Sequence, residues 1–238
     1  MATFLFLSPH LDDVAFSCTG EIIRLASDGH RCVVGTPFTR SVPDPGPFAL
    51  ACQLDKGLDT DVDYMAIRRG EDLDYITVLN NRLRPTVPID AVHGDLPEAP
   101  HRGYDNAAAL FGPPVADDAI AEPLAGVIAA WINHYQPTGI YLPMGYGNHI
   151  DHRRVLDACD SLPTARRYYR DTPYVLRPDP GPPSIKAPPT KRRVILSPEQ
   201  RSIQLDAIDC YRTQVPFQYG SSAQMRRTMT NAPEWILG

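Results

Sequence analysis

The first part of the chain alternates apolar runs with polar turns in a pattern typical of a strand, a helix and a second strand. Residues 3–8 form a short apolar run, which predicts one buried strand. Helical spacing follows over 19–28, Gly29 is placed to end that helix, and 32–36 is a second apolar run. A strand–helix–strand unit of this kind predicts a parallel sheet that is covered by helices.

The rest of the chain repeats this alternation with longer connections. Apolar residues recur at helical spacing in two further segments, and short apolar runs precede or follow them. The segment Ser197-Pro198-Glu199-Gln200 predicts a helix start, because the serine can cap the helix and the glutamine can complete a capping box. The other predicted elements are helices over 63–80 and 123–135 and strands over 89–93, 139–142, 167–170 and 174–177.

No internal repeat and no sharp change of composition divides the chain. We therefore interpret residues 1–238 as a single α/β domain with a mostly parallel sheet. Three connections, at 37–61, 94–121 and 178–193, are long, and many of the prolines fall in them. We expect these connections to be loops that shape a pocket at one end of the sheet.

Composition narrows the classes of function. A hydrophobic content of 43% and a charged content of 21% are typical of a globular protein. The formal charge of −5 argues against nucleic acid as a partner, because phosphate binding requires a basic surface. No run approaches the roughly 18–20 apolar residues of a membrane span, and the N-terminus lacks the basic region of a signal peptide. Five cysteines without CxxC spacing argue against a disulfide framework and a thiolate zinc site, so a cytoplasmic protein is expected.

Two groups of histidine and aspartate residues each lie where a predicted strand gives way to a helix. Because the carboxyl ends of parallel strands share one edge of a sheet, these groups can converge. Catalytic zinc usually takes three nitrogen or oxygen ligands and keeps one position for water. A further carboxylate can then accept a proton, and a further imidazole can donate one. The groups are His10, Asp12 and Asp13, and His149, Asp151 and His152.

Simpler interpretations exist for each group taken alone. Asp12 and Asp13 could only cap the following helix, an interaction that stabilises by about 0.3–1 kcal/mol. The pair His149 and His152 has an HxxH spacing that also occurs by chance. Both groups at strand ends of one sheet are much less expected by accident, so the combination favours a metal site.

The two groups resemble the signatures of a known family. Pro9-His10-Leu11-Asp12-Asp13 is similar to the PHPDD motif of the PIG-L/LmbE-like N-deacetylases, with Leu11 in place of the second proline. The second motif resembles the family's HPDHR signature, again with an aliphatic residue in place of proline. Weaker similarities follow the family's order along the chain. The second motif is His149-Ile150-Asp151-His152-Arg153. The weaker similarities are in the segments Arg68-Arg69-Gly70-Glu71, Asp95-Leu96-Pro97-Glu98 with Arg102-Gly103-Tyr104, and Tyr211-Arg212-Thr213-Gln214.

The resemblance implies a Rossmann-like three-layer fold and a zinc-dependent N-deacetylase, with Fe²⁺ as an alternative metal. It also implies a role for each residue of the two motifs. His10, Asp13 and His152 would bind the metal, and Asp12 would be the general base. His149 would polarise the carbonyl group or protonate the leaving nitrogen, and Asp151 would hold the His149 imidazole in orientation.

The expected substrate is a small N-acylated molecule, most simply an acetylated amino sugar. Arg68, Glu98 and Arg102 are candidate substrate-binding residues by this resemblance. Some sugar deacetylases of the family have a tyrosine at the position of Gly147, and the neighbouring Tyr146 is one position away, so its role is not carried over. Cleavage of a thiol-conjugate or non-sugar amide is one alternative, and a non-catalytic metal- or sugar-binding protein is another. Assembly as a homo-oligomer stays open.

Overall fold

Strand β1 shows why the sheet lies at the centre of the molecule. Phe4 and Phe6 pack against one face of the sheet, and Leu5 and Leu7 pack against the other. All four side chains are buried, as expected when successive residues of a strand point to opposite covered faces. The computed structural model describes residues 1–238. Its strands are β1 Thr3–Leu7, β2 Arg31–Thr36, β3 Asp90–His93, β4 Gly139–Pro143, β5 Ala165–Tyr169, β6 Lys191–Arg193 and β7 Trp235–Leu237.

The seven strands form one sheet in the order β3-β2-β1-β4-β5-β7-β6. Strands β1 to β5 are parallel, whereas β7 is antiparallel to both β5 and β6, so the predicted mostly parallel sheet is confirmed. The chain moves from β1 towards one edge and from β4 towards the other. The adjacent carboxyl ends of β1 and β4 therefore form the switch point where ligands bind in such sheets.

Helices cover both faces of the sheet. Helices α1, α3 and α7 pack on the side of Phe4 and Phe6, and α5 and α6 pack on the side of Leu5 and Leu7. This arrangement confirms the predicted three layers. The helices are α1 Asp13–Ser27, α2 Pro47–Leu54, α3 Tyr64–Leu83, α4 Ala107–Leu110, α5 Ala121–Tyr135, α6 Ile150–Cys159, α7 Pro198–Ile208, α8 Gln214–Tyr219 and α9 Ser222–Asn231.

Several predicted features appear as expected. Gly29 has a φ of 78° directly after α1, where a left-handed residue ends the helix. Ser197 and Gln200 form the predicted capping box at the start of α7. None of the helices is both long and apolar enough to cross a membrane.

Other predictions about elements were wrong. Helix α1 begins at Asp13 rather than near residue 19, and the predicted loop 37–61 contains α2. The loop 94–121 contains α4 and a 3-10 turn at Ala99–His101, and the loop 178–193 ends in β6. The predicted strand 174–177 is a 3-10 turn, Tyr174–Leu176, that follows Pro173. Its aromatic and branched residues favour a strand locally, but Pro173 and the packing of Tyr174 determine a turn.

Candidate active site

The segments after β1 and β4 bring the two motifs together although they lie about 140 positions apart in sequence. Nitrogen atoms of His10, His149 and His152 lie within 4.8 Å of one another. Asp13 Oδ2 lies 3.2 Å from His10 Nδ1 and 3.2 Å from His152 Nε2. The convergence predicted from the sequence is therefore present at the switch point of the sheet.

Two of the three histidines are each held by a carboxylate through one ring nitrogen. His10 Nε2 lies 3.0 Å from Asp151 Oδ2, and His152 Nδ1 lies 2.7 Å from Asp171 Oδ1. Donation from these nitrogens leaves lone pairs on His10 Nδ1 and His152 Nε2, the two atoms that lie beside Asp13. His152 Nε2 is buried and makes no hydrogen bond. Two imidazole nitrogens and a carboxylate oxygen, with carboxylates behind the rings, fit a divalent metal ion.

The carboxylates around His10 and His152 favour a positive charge at these histidines. Burial alone would lower the pKa of His152, but the carboxylates of Asp13 and Asp171 outweigh burial and raise that pKa to about 9. Asp13 itself keeps a pKa well below its usual range, since the neighbouring His152 and His10 outweigh its burial. The pocket therefore stabilises a cation among these side chains.

His149 is held differently from the other two histidines. Its Nδ1 accepts a hydrogen bond from the backbone N–H of Asp151 at 3.1 Å, so a neutral ring carries its proton on Nε2. Burial and the neighbouring His10 lower the pKa of His149 well below its usual value. The ring is therefore a neutral donor, and the edge of Phe111 packs against it with ring centroids 5.5 Å apart.

The orientation of His149 corrects one predicted role. The carboxylate of Asp151 makes no hydrogen bond to His149, because it accepts from His10, from the backbone N–H of Ala99 and from Arg102. The backbone of Asp151 orients His149, whereas its side chain holds His10. Arg102 and His10 outweigh burial and keep the pKa of Asp151 well below its usual range, so the carboxylate stays charged.

Asp12 precedes α1 but does not cap it, since its side chain accepts no hydrogen bond from the first turn. Instead, Asp12 Oδ1 lies 3.3 Å from Arg68 Nη2. Burial raises the pKa of Asp12 to about 6, with Arg68 opposing the rise and Asp13 adding to it. The capping interpretation therefore fails for Asp12, and its carboxylate stands free to act on a ligand.

Arg68 links Asp12 to Glu98 through two ion pairs. Arg68 projects from α3, is almost fully buried, and binds Glu98 as well as Asp12. The ring of Tyr64 packs against its guanidinium, 5.3 Å from centroid to Cζ. Arg68 thus joins the general-base candidate to the loop that carries Glu98.

Arg102 is occupied within the protein. Its Nε donates to Asp118 at 3.0 Å, its Nη1 to the carbonyl of Pro97 at 2.8 Å, and its Nη2 to Asp151 at 2.7 Å. The side chain is only 6% exposed. Each of the three guanidinium nitrogens of Arg102 already donates within the protein, so the geometry favours a role in supporting Asp151 over the predicted contact with substrate.

The C-terminal Tyr-Arg-Thr-Gln segment reaches the site only through α3. Thr213 donates to Glu71 from both its backbone nitrogen and its hydroxyl, each at 2.8 Å. Tyr211 donates to Asp72 at 2.6 Å. These bonds fix the helix that carries Arg68.

Sequence reasoning missed Asp171 and Asp118. Asp171 lies two residues beyond β5, so the rule that placed both motifs at strand ends could have found it. Asp118 lies in the loop 94–121, and no local pattern marks it. Nor did any pattern indicate that Phe111 and Tyr174 would pack against the histidines.

Two cavities flank the site. One, of about 320 Å³, is lined by Tyr64, Met65 and His101 among others and adjoins the Arg68–Glu98 pair. The other, of about 460 Å³, lies beside the histidines and is lined mainly by polar residues and prolines, with Phe111 and Tyr174 at its wall. Either cavity offers room for the part of a ligand that extends beyond the imidazoles.

Among curated proteins, the 2′-N-acetylparomamine deacetylase of Streptomyces fradiae is 29% identical over 174 residues. The aligned part covers 71% of this chain and 57% of that protein, so the match spans little more than half of the relative's length.

Solved structures show the same fold. A deacetylase of the teicoplanin biosynthesis pathway, in complex with bog, superposes with a TM-score of 0.83 at 24% identity and covers 99% of this chain and 96% of its own. The zinc-inhibited form of teicoplanin deacetylase Orf2 gives a TM-score of 0.81 at 23% identity, with 99% and 97% covered. The predicted LmbE-like fold is thereby confirmed.

The PIG-L family, described as GlcNAc-PI de-N-acetylase, matches residues 5–162. The matched region holds both histidine–aspartate motifs as well as Arg68 and Glu98. Because this match covers well over half of the sequence, the chain belongs to the PIG-L family.

Proposed function

We propose that this protein is a metal-dependent hydrolase that removes an N-acyl group, most simply acetyl, from a small amino-sugar substrate. One observation carries the proposal. His10 and His152 each turn one nitrogen towards Asp13 and the other towards a supporting carboxylate, while the neighbouring carboxylate of Asp12 is held by Arg68 and binds neither histidine. A pure binding protein has no need of such a base next to its metal ligands.

His10, Asp13 and His152 would hold the metal ion, for which we propose Zn²⁺ with Fe²⁺ as the alternative. When bound, a divalent ion supplies Lewis acidity and lowers the pKa of the water that it coordinates. His149 is excluded from this ligand set because it lacks the supporting carboxylate that the other two histidines have. Its place is opposite the base, where a substrate carbonyl group would lie.

Asp12 is the proposed general base. A pKa near 6 leaves the carboxylate ionised at neutral pH and still basic enough to accept a proton from water. Arg68 holds the carboxylate in place and limits the rise of its pKa, so Arg68 is assigned as a positioning residue rather than a substrate ligand.

His149 is the proposed donor to the substrate. Its neutral ring presents the Nε2–H, which can donate to the carbonyl oxygen as negative charge develops there. As the oxygen of water bonds to the carbonyl carbon, Asp12 accepts a proton from that water. This proton is then delivered to the leaving nitrogen as its bond to carbon breaks, so the products are a free amine and a carboxylic acid, which ionises to the carboxylate. Asp151 and Arg102 contribute by fixing His10 and do not contact the substrate.

The substrate class is supported by the relatives and by the flanking cavities. The Streptomyces fradiae relative is named as a deacetylase of 2′-N-acetylparomamine. The larger flanking cavity has polar side chains such as Asn148, Arg177 and Asp179 in its lining, which suit a hydroxyl-rich ring better than a fatty chain. We further propose that residues 1–238 act as one domain, since β6 and β7 complete the sheet, and that the five unbridged cysteines reflect a reducing cytoplasm.

The test measures acetate release from N-acetylglucosamine and its glycosides. The purified protein is stripped of metal, reloaded with Zn²⁺ or Fe²⁺, and assayed beside a chelated sample and a metal-loaded Asp12→Asn sample. Release that requires both the metal and Asp12 supports the proposal. Faster turnover of long-chain acyl amides or thiol conjugates than of acetylated sugars would replace the sugar assignment with a general amidase.

A further inference from the structure

Tyr174 occupies a fixed position between the histidines and the larger cavity. Its ring stands edge-on to His152 with centroids 5.6 Å apart and at an interplanar angle of 84°. The ring of Phe111 lies 6.3 Å away, and the guanidinium of Arg177 covers one face at 4.5 Å. The phenol ring is thus held from several sides, and only its hydroxyl is left without a partner.

Gly147 is the residue that admits this ring. A Cβ atom at position 147 would lie 2.2 Å from Tyr174 Cδ1 and 2.8 Å from its Cε1, far inside van der Waals contact. Gly147 also has a φ of 79°, which residues with a side chain rarely adopt. Any side chain at 147 would therefore displace the phenol.

The hydroxyl of Tyr174 differs from those of the fully buried tyrosines. Each of those donates to a protein oxygen or shares a hydrogen bond with one, whereas Tyr174 makes no hydrogen bond within the protein. The Tyr174 hydroxyl is not among the fully buried polar atoms that lack a hydrogen bond, so it is accessible, and Tyr174 lines the larger cavity. The ring that carries this hydroxyl packs against His152, one of the proposed metal ligands. The five tyrosines compared are Tyr75, Tyr104, Tyr141, Tyr169 and Tyr211.

We propose that Tyr174 is a catalytic residue whose hydroxyl donates a hydrogen bond to the acyl group of the substrate, and that Gly147 serves to admit it. This inference rests on the proposed function. A phenol that is held rigidly and lacks a protein acceptor is a preorganised donor, which is the kind of group that stabilises charge developing on a carbonyl oxygen. It would act alongside His149 from a different segment of the chain.

The test compares Tyr174→Phe, Gly147→Ala and the double variant in the metal-loaded protein. Tyr174→Phe removes one hydroxyl and should lower kcat roughly 10²-fold with little change in KM, as for loss of one oxyanion donor. Gly147→Ala should cause a similar loss by displacing the ring. Because both changes act through the same hydroxyl, the double variant should be no slower than the slower single variant. Tyr135→Phe is the matched control, since its ring packs on Arg31 at the start of β2, away from the site.

Metal content and melting temperature are measured for each variant, and binding of acetohydroxamate is measured as a metal-chelating mimic of the acyl group. Weaker hydroxamate binding by Tyr174→Phe, with a full metal ion retained, supports the assignment of Tyr174. If that result is found but no acetylated sugar is turned over, only the proposed function fails. Wild-type kcat and unchanged hydroxamate binding in Tyr174→Phe would overturn the inference. So would a double variant whose loss is the product of the two single losses.

Discussion

Replacement of Asp171 by asparagine should lower metal affinity although it changes no proposed ligand. Asp171 is buried, and its Oδ1 accepts from His152 Nδ1 at 2.7 Å. Its Oδ2 accepts from the backbone nitrogens of Met144 at 3.0 Å and Tyr146 at 3.1 Å. Every neighbour is thus a donor, and an asparagine can present an acceptor to only one side of this arrangement.

The two orientations of the asparagine have different costs. If the asparagine oxygen faces His152, its NH₂ group faces the backbone N–H groups of Met144 and Tyr146. The Tyr146 N–H then has no acceptor, which costs about 1–3 kcal/mol. With its oxygen towards the backbone, its amide donates to His152 Nδ1 and drives the imidazole proton to Nε2. The second orientation keeps the backbone bonds and is therefore expected. It protonates the nitrogen that lies beside Asp13, so metal affinity should fall about 10- to 100-fold, the usual loss when such a support is removed.

The dissociation constant is measured by competition with a chromogenic chelator, and folding is followed by thermal denaturation. Asp90→Asn is the control, because the Arg31–Asp90 pair is partly exposed and remote from the site, so it should leave metal affinity unchanged. If Asp171→Asn binds metal as tightly as the wild type, His152 is not a ligand through Nε2 and the proposed ligand set is wrong.

Three further outcomes are expected. Asp12→Asn should keep a full metal ion by elemental analysis while kcat falls about 10²- to 10⁴-fold, and wild-type turnover would show that Asp12 is not the base. Turnover should decline as the pH falls through about 6, because Asp12 must be ionised to accept a proton. Arg68→Met should shift this acidic limb of the kcat profile to higher pH, because Arg68 lowers the pKa of Asp12. An unmoved limb would show that Arg68 does not have this positioning role. Gly20→Ala should lower the free energy of unfolding by about 1–3 kcal/mol, since its Cβ would lie 2.6 Å from the Glu234 carboxylate that binds the Gly20 and Glu21 amides. Gly70→Ala in α3 meets nothing within 4 Å and should stabilise in the same denaturant titration, so an equal loss at both glycines would refute the packing argument.

The sequence predicted β1, β2 and β4 well because these strands are buried on both faces and carry short apolar runs. Strand β6 is exposed and has the sequence Lys191-Arg192-Arg193, so no apolar run marks it. Helix α1 was harder to place for a related reason. Its first eleven residues, Asp13 to Ile23, are all buried, so this part lacks the alternation of buried and exposed positions that marks an amphipathic helix.

The site shows a similar division. Both motifs could be predicted because each is contiguous and follows a strand, which fixes its position at one edge of the sheet. The partners of those residues could not be predicted, since Arg102 reaches the site from the loop after β3, and Asp171 and Tyr174 reach it from the connection after β5. Asp151 illustrates the limit, because one residue orients His149 through its backbone and His10 through its side chain, and sequence spacing cannot distinguish the two.

The balance of charge gives an independent reason for a divalent cation at this point. Five carboxylates surround the histidines or their immediate partners, whereas only two guanidinium groups bind them directly, which leaves an excess of three negative charges when the histidines are neutral. Uncompensated buried charge of this size is unfavourable, and it raises the pKa of both His10 and His152 in spite of their burial. A divalent ion removes most of the excess while both histidines stay neutral and act as ligands. The arrangement therefore favours metal binding through the whole set of charges that the fold assembles: Asp12, Asp13, Glu98, Asp151 and Asp171 against Arg68 and Arg102.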